Sequence, residues 1–217
     1  MMGAIVFDMD GVLFDTERLC MESWLAVADK HGFSDMETFY PSCIGRNNAD
    51  TKALVLEFYG TDFDYDTFCK EASSYFHASV ARNGLPVKEG VRELLDFLRE
   101  QKWQVALASS SNYKSVTAHL EQAGLMEYFS AIVTGDMVEH SKPEPDIYLI
   151  ACAKIGVPPE DAYAIEDSPN GIRAAHRAGM RPVMVPDLVA ADDEMKQLCH
   201  RIFASLTDVK TYLEACK

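Results

Sequence analysis

Short apolar runs alternating with helical patterns constrain this chain more than any other feature. The runs occupy residues 4–7, 105–108, 131–134, 162–165 and 182–185. Between the later runs, apolar residues recur at helical spacing: Val91, Leu94, Leu95 and Leu98; then Val116, Leu120 and Ala123 before Gly124; then Ile147, Ile150, Ala151 and Ile155 before Gly156. Parallel strands need a crossover between them, usually a helix. The alternation therefore predicts an α/β fold with a doubly wound, Rossmann-like parallel sheet.

One interval breaks the rhythm. Residues 15–84 hold no convincing strand and read as helices, one carrying Leu19, Trp24, Leu25, Val27 and Ala28. A second carries Ala53, Leu54, Leu56 and Phe58, and a third Phe68, Ala72, Tyr75, Phe76 and Val80. So long a stretch far exceeds what a crossover requires. The expected organisation is a core of residues 1–14 and 85–217 with an inserted all-helical cap at 15–84. Two connections make a hinge, and a lid over a strand-end site can exclude water from chemistry.

A formal charge of −14 and a pI near 4.8 argue against nucleic acid or an anionic membrane surface as partner, since both demand a basic stripe. The six cysteines, Cys20, Cys43, Cys69, Cys152, Cys199 and Cys216, form no C-x-x-C pair and read as reduced buried thiols. No basic leader precedes a long apolar stretch, and no run is long enough to cross a bilayer, so a cytoplasmic chain is expected. The absence of a sustained heptad seam predicts a monomer.

Where each strand ends, polar groups gather. The run 4–7 leads into Asp8-Met9-Asp10-Gly11, two carboxylates one residue apart followed by a glycine that lets the backbone turn closely. In parallel α/β sheets ligands bind outside the carboxyl ends of strands, although a lone D-x-D pair is also common in structural turns. The second strand ends in Ser109-Ser110-Ser111-Asn112, whose hydroxyls and free N–H groups can bind an anion or merely cap the next helix, a task one of the three serines must perform. Ser141-Lys142-Pro143-Glu144-Pro145 follows the third strand. Its lysine is either a solvated loop residue or a point charge for a phosphoryl oxygen or for Asp8. Glu166-Asp167-Ser168-Pro169-Asn170-Gly171 follows the fourth, offering oxygen ligands for Mg²⁺ or an N-cap carboxylate for the next helix.

The order strand–D-x-D-G, strand–S, loop K-P, strand–E-D resembles the haloacid dehalogenase superfamily of phosphotransferases over essentially the whole chain. The insertion directly after the first motif further resembles the subgroup containing β-phosphoglucomutase and small sugar-phosphate phosphatases. The resemblance implies that Asp8 is the nucleophile, forming an aspartyl-phosphate, and that Asp10 protonates the leaving group and then activates water. It implies Mg²⁺ held by Asp8, the Asp10 backbone carbonyl and Asp167, with Glu166 in or near the ligand set. Ser109 and Lys142 would grip the transferring oxygens, and Ser110, Asn112, Glu17 and Arg46 would contact the substrate. Asn47 and Lys52 are further cleft-facing candidates. Relatives that cleave carbon–halogen bonds lack an acid at the position of Asp10, so its presence favours phosphoryl chemistry.

The resemblance also separates two activities. In β-phosphoglucomutase the helix after the first motif carries a histidine where this chain has Cys20, and its cap loop carries an arginine where this chain has Asn48. A phosphatase acting on a small sugar or polyol phosphate is therefore expected, with a hexose-phosphate mutase as the alternative. A non-catalytic phosphoacceptor module would instead place its acceptor aspartate after a later strand, with no helical insertion.

Overall fold

In a computed structural model, residues 3–46 and 48–215 are described; Met1, Met2, Asn47, Cys216 and Lys217 lie outside them. Six strands form one parallel sheet: β1 (Ala4–Phe7), β2 (Gln104–Ser109), β3 (Ala131–Thr134), β4 (Ala162–Glu166), β5 (Arg181–Met184) and β6 (Arg201–Ile202). Their spatial order is β3-β2-β1-β4-β5-β6. The five sequence-derived strands are all present. The sixth, with two exposed residues at the sheet edge, has neither the length nor the apolar run that would mark it.

Four helices lie between β1 and β2 before the crossover proper: α1 (Thr16–His31), the single turn α2 (Met36–Phe39), α3 (Asn48–Tyr59) and α4 (Tyr65–Asn83). The remaining helices are α5 (Val91–Glu100), α6 (Tyr113–Ala123), α7 (Asp146–Ile155), α8 (Pro169–Arg177), α9 (Asp193–Leu198) and α10 (Leu206–Ala215). Among the described residues, no helix is long and apolar enough to cross a membrane.

Strand alternation divides the core. Ile5 and Phe7 point to one face of β1, where Leu94 and Leu98 of α5, Val116 and Leu120 of α6, and Val209 of α10 cover them. Ala4 and Val6 point to the other, against Ile147 and Ala151 of α7 and Ala174 and Ala175 of α8. The small alanines on the second face admit the close approach of these helices. The helical insertion has a core of its own, centred on Trp24, whose ring meets Tyr40, Tyr65 and Phe68 edge to face.

Two local expectations are corrected. In α3 the buried positions are Thr51 and Val55 rather than the predicted Ala53-Leu54-Leu56-Phe58 set; Phe58 is 55% exposed and rests on Phe39 at the surface. Asn112, not a serine, caps α6 by accepting from the Ser115 N–H at 3.0 Å, and Ser168, not Glu166 or Asp167, caps α8. In both loops the residue at the first non-helical position takes the cap, which frees the side chains before it for the sheet end.

Candidate active site

β1 is the point where the order of strands reverses, so the loops after β1, β2 and β4 open into one crevice. Phe7 is in register with Leu107 on one side and Ile165 on the other. The residues that follow, Asp8, Ala108 and Glu166, therefore arrive at one level, with Ser109 one residue further along β2. The Asp8 N–H still bonds the Ile165 carbonyl at 2.9 Å, and the chain then folds into a tight turn, with Leu13 N–H on the Met9 carbonyl at 2.9 Å.

Lys142 is the hub of the site. Its side chain is 2% exposed, and its ammonium donates to Asp8 Oδ1 at 2.5 Å, Glu166 Oε1 at 2.7 Å and the Ala108 carbonyl at 3.1 Å. Burial alone would lower its pKa, but the flanking Asp8 and Glu166 hold it above the usual lysine range. Of the two sequence options, Lys142 is the partner of Asp8 rather than a solvated loop residue.

Glu166 is completely buried and fully engaged. Oε1 accepts from Lys142 and from Tyr148 Oη at 2.6 Å; Oε2 accepts from the Asp167 and Ser168 N–H groups and from Ser168 Oγ at 3.1 Å. Gly171 makes room for it, because a Cβ there would lie 1.8 Å from Oε1. Asp8, Glu166 and Asp167 can bring one carboxylate oxygen each within 4.8 Å of one another. Of the three, Asp8 and Asp167 line the cavity and Glu166 does not. Gly11, with φ of +81°, holds the turn against Asp167, and a Cβ would fall 2.2 Å from Asp167 Oδ2. Three acidic side chains share this corner with one ammonium, which pairs with two of them, so acid outnumbers base by two. Burial pushes the pKa of Asp8 and of Asp167 well above the carboxylate range, and the neighbouring Glu166 charge adds to it in both, while Lys142 opposes the shift at Asp8.

Asp10 is held apart from that group. Thr16 Oγ1 donates to its Oδ1 at 2.6 Å, and Ser111 Oγ to its Oδ2 at 2.9 Å. Its carboxylate is thus not a member of the metal-sized cluster, which leaves the main-chain carbonyl as the Asp10 group expected at the metal. Ser109 does not line the cavity. It is fully buried, leans toward Asp10 Oδ2 at 3.5 Å and accepts from the Ser111 N–H at 3.1 Å, so its hydroxyl braces the loop while Ser110, Ser111 and Asn112 line the cavity.

The cavity is about 850 Å³ and lies between the sheet end and the helical insertion. Insertion and core touch around it: Ser141 Oγ donates to Asp50 at 2.9 Å and Asn170 Nδ2 to the Ile44 carbonyl at 3.4 Å. Glu17 and Arg46 line it as expected; the Arg46 Nε donates to the Ser42 carbonyl at 2.9 Å. Lys52 does not line it and pairs instead with Asp66 at 2.8 Å. Asn47 lies outside the described residues. Cys20 and Asn48 occupy the wall, Asn48 accepting from Tyr65 Oη at 2.9 Å. The five described cysteines are free thiols, but only Cys43 and Cys152 are buried; the others are partly exposed.

Thr16, Tyr148, His77 and His119 escaped the sequence reading, and Ser111 entered it only as one of three loop hydroxyls. Thr16 stands six residues after Asp10 in the first motif, and Ser111 closes the run of hydroxyls after the second strand, signals that the sequence carries. Tyr148 and the histidines sit within helical patterns, where nothing in the sequence says which way they face.

Burial and the Asp10 charge push the Glu17 carboxyl up to about 8, although Tyr40 Oη donates to it at 3.2 Å. A carboxyl raised on folding binds its proton more tightly in the folded chain, so stability falls as pH rises from the ordinary 4.5 to about 8. Glu17→Gln is expected to remove that loss, stabilising the metal-free protein by up to about 5 kcal/mol at pH 8.5 and by almost nothing at pH 4.5. Urea denaturation at the two pH values measures it; a gain independent of pH would mean that the carboxyl is solvated.

The fold and the strand-end cluster together define a class. Residues 5–185 match the family model for haloacid dehalogenase-like hydrolases, and the chain belongs to that family. It is 31% identical over 214 residues to the phosphorylated carbohydrates phosphatase of Thermotoga maritima, covering 99% of this chain and 91% of that protein. It is 32% identical over 216 residues to hexitol phosphatase B of Escherichia coli K12, covering 95% and 93% respectively. The crystal structure of CbbY from Rhodobacter sphaeroides in complex with phosphate superposes with a TM-score of 0.79 at 27% identity, over 96% of each chain.

Proposed function

We propose that this protein is a Mg²⁺-dependent phosphatase that hydrolyses a small phosphate monoester, of a sugar or polyol, through an aspartyl-phosphate on Asp8. The observation that carries this reading is the pairing of Asp8 with buried Lys142 at the floor of a cavity that Asp10 also lines. The names of the similar phosphatases support the substrate class.

Asp8 attacks phosphorus while the ester oxygen departs, and Asp10 in its acid form gives that oxygen its proton. Asp10 then takes a proton from water as the water attacks the aspartyl-phosphate, releasing inorganic phosphate and restoring both carboxyl groups. Thr16 and Ser111 fix the Asp10 carboxyl in one orientation for both transfers. Lys142 orients Asp8 and offsets its charge. Residues 15–84 act as a cap that closes over the substrate and excludes bulk water.

The donor set fits Mg²⁺: all ligands are oxygens, acid outnumbers base by two, and Gly11 leaves the Asp167 carboxylate open. Asp8, Asp167 and the Asp10 main-chain carbonyl would hold the ion, with saturated Glu166 fixing the ligands around it. When bound, it supplies positive charge that relieves repulsion between the nucleophile and the phosphoryl oxygens. Asp167→Ala is accordingly expected to raise the Mg²⁺ concentration for half-maximal rate by about 10–100-fold. An unchanged metal titration would remove Asp167 from the site.

The direct test incubates the protein and Mg²⁺ with a panel of sugar and polyol monophosphates and follows both phosphate release and isomer formation. Phosphate release supports the phosphatase. Conversion of β-glucose 1-phosphate to glucose 6-phosphate, dependent on a trace of the 1,6-bisphosphate and without release, would make the protein a mutase.

A further inference from the structure

The mechanism leaves one wall of the cavity unused. It runs between α4 of the insertion and α6 of the core and carries Ser73, His77, Asn112, Ser115 and His119. Every one of these side chains is a hydrogen-bonding group, and the lysine and arginine that line the cavity, Lys142 and Arg46, come from other segments. His119 sits between two aromatic rings, Phe14 of the core turn at 6.0 Å and Phe76 of the insertion at 6.3 Å. Its Nδ1 is buried without a hydrogen-bond partner.

A buried polar atom left unpaired costs about 1–3 kcal/mol. Such atoms are rare enough that a cavity-lining ring that carries one calls for a reason, and with Nδ1 shut off it is the ring's other nitrogen that a ligand in the cavity meets. Packing does not supply that reason, because a valine or leucine would fill the space between two phenylalanine rings without the loss. Burial and the neighbouring His77 lower the His119 pKa, against the pull of Asp10, which favours a neutral ring with one donor and one acceptor nitrogen. A hydroxyl has the same dual character; a phosphate or carboxylate does not.

We propose that His119, with His77 facing the same cavity from α4, is a specificity-determining site that hydrogen-bonds the hydroxyls of the leaving group and so selects hydroxylated esters over apolar ones. The proposal rests on the phosphatase reading and adds the residues that read the leaving group. It also links recognition to the insertion, since one imidazole comes from the core and the other from α4. A leaving group bonded to both bridges the two halves of the cleft.

The test compares kcat/KM for a hexitol phosphate with that for n-butyl phosphate, in the full-length protein and in His119→Val, His119→Gln and His77→Ala. Sites that hydrogen-bond a substrate hydroxyl discriminate strongly against its absence. His119→Val is expected to lower the hexitol-to-butyl ratio roughly tenfold or more, mainly through KM for the hexitol ester, with a smaller loss in His77→Ala. His119→Gln should recover most of the ratio, and His119→Val should melt at a higher temperature because the unpaired nitrogen is gone. A ratio within about twofold of wild type in both His119→Val and His77→Ala would overturn the subsite while leaving the phosphatase standing. If His119→Val does not fold, a His119→Gln ratio close to wild type together with a lowered His77→Ala ratio supports the subsite, and any other pair of values overturns it. A wild-type protein that hydrolyses neither ester would overturn the phosphatase reading, and the subsite with it.

Discussion

Asp8→Asn should reduce turnover by at least ~10⁴-fold while leaving the fold intact. The amide has nearly the shape of the carboxylate but little nucleophilicity, and every later step depends on the bond that Asp8 forms. Stability should move the other way or not at all. Asp8 is buried beside Glu166 and Asp167, and burial with the Glu166 and Asp10 charges pushes its pKa up against the pull of Lys142, so a neutral side chain relieves repulsion in a crowded acidic cluster. Lys142 keeps Glu166 as partner in the variant. Phosphate release under saturating Mg²⁺, measured alongside the melting temperature, tests both halves. A variant that turns over at the wild-type rate would overturn the assignment of the nucleophile.

Lys142→Met should be the most damaging single substitution for stability, at about 3–5 kcal/mol, because it strands buried acids without their cation. The apolar replacement fills similar volume, so the loss reflects charge and hydrogen bonding rather than a cavity. Glu166 retains Tyr148 and Ser168 as donors, whereas Asp8 loses its ammonium partner, so Asp8 takes up a proton more readily. That fixes the sign of the pH effect. A carboxyl raised further in the folded state makes stability fall with rising pH, and the variant should be closer to wild type at pH 5 than at pH 8. Urea unfolding at the two pH values measures this. Activity should fall with stability but separately from it, and added Mg²⁺ should recover part of the stability and little of the rate. An equal loss at both pH values would mean that Lys142 contributes packing alone.

Much of the architecture was legible because it rests on local chemistry. The runs at 4–7 and 162–165 are apolar on both sides, as strands of a buried parallel sheet must be, and the helices ending before Gly124 and Gly156 announce themselves by period. The acids after β1 and β4 were legible for a related reason: carboxylates directly following a buried strand have few places to go except its end. The two-residue β6 was not legible, since its neighbours on the sheet edge, rather than its composition, make it a strand. Nor were the caps, where Asn112 and Ser168 outcompeted residues equally able to do the work.

What the sequence by itself determined, then, was the parallel core, the helical stretch after its first strand, and the set of polar residues that could meet at the strand ends. The tertiary structure alone decided how those residues divide their tasks. It turned Ser109 inward to brace Asp10, gave Lys142 to Asp8 and Glu166 together, saturated Glu166 so that Asp8 and Asp167 face the cavity, removed Lys52 to the surface with Asp66, and set His119 in the cleft wall. The reason is physical. Backbone periodicity and burial act over a few residues and leave their record in the chain, whereas the partner of a buried charge is chosen by distance across loops more than a hundred residues apart.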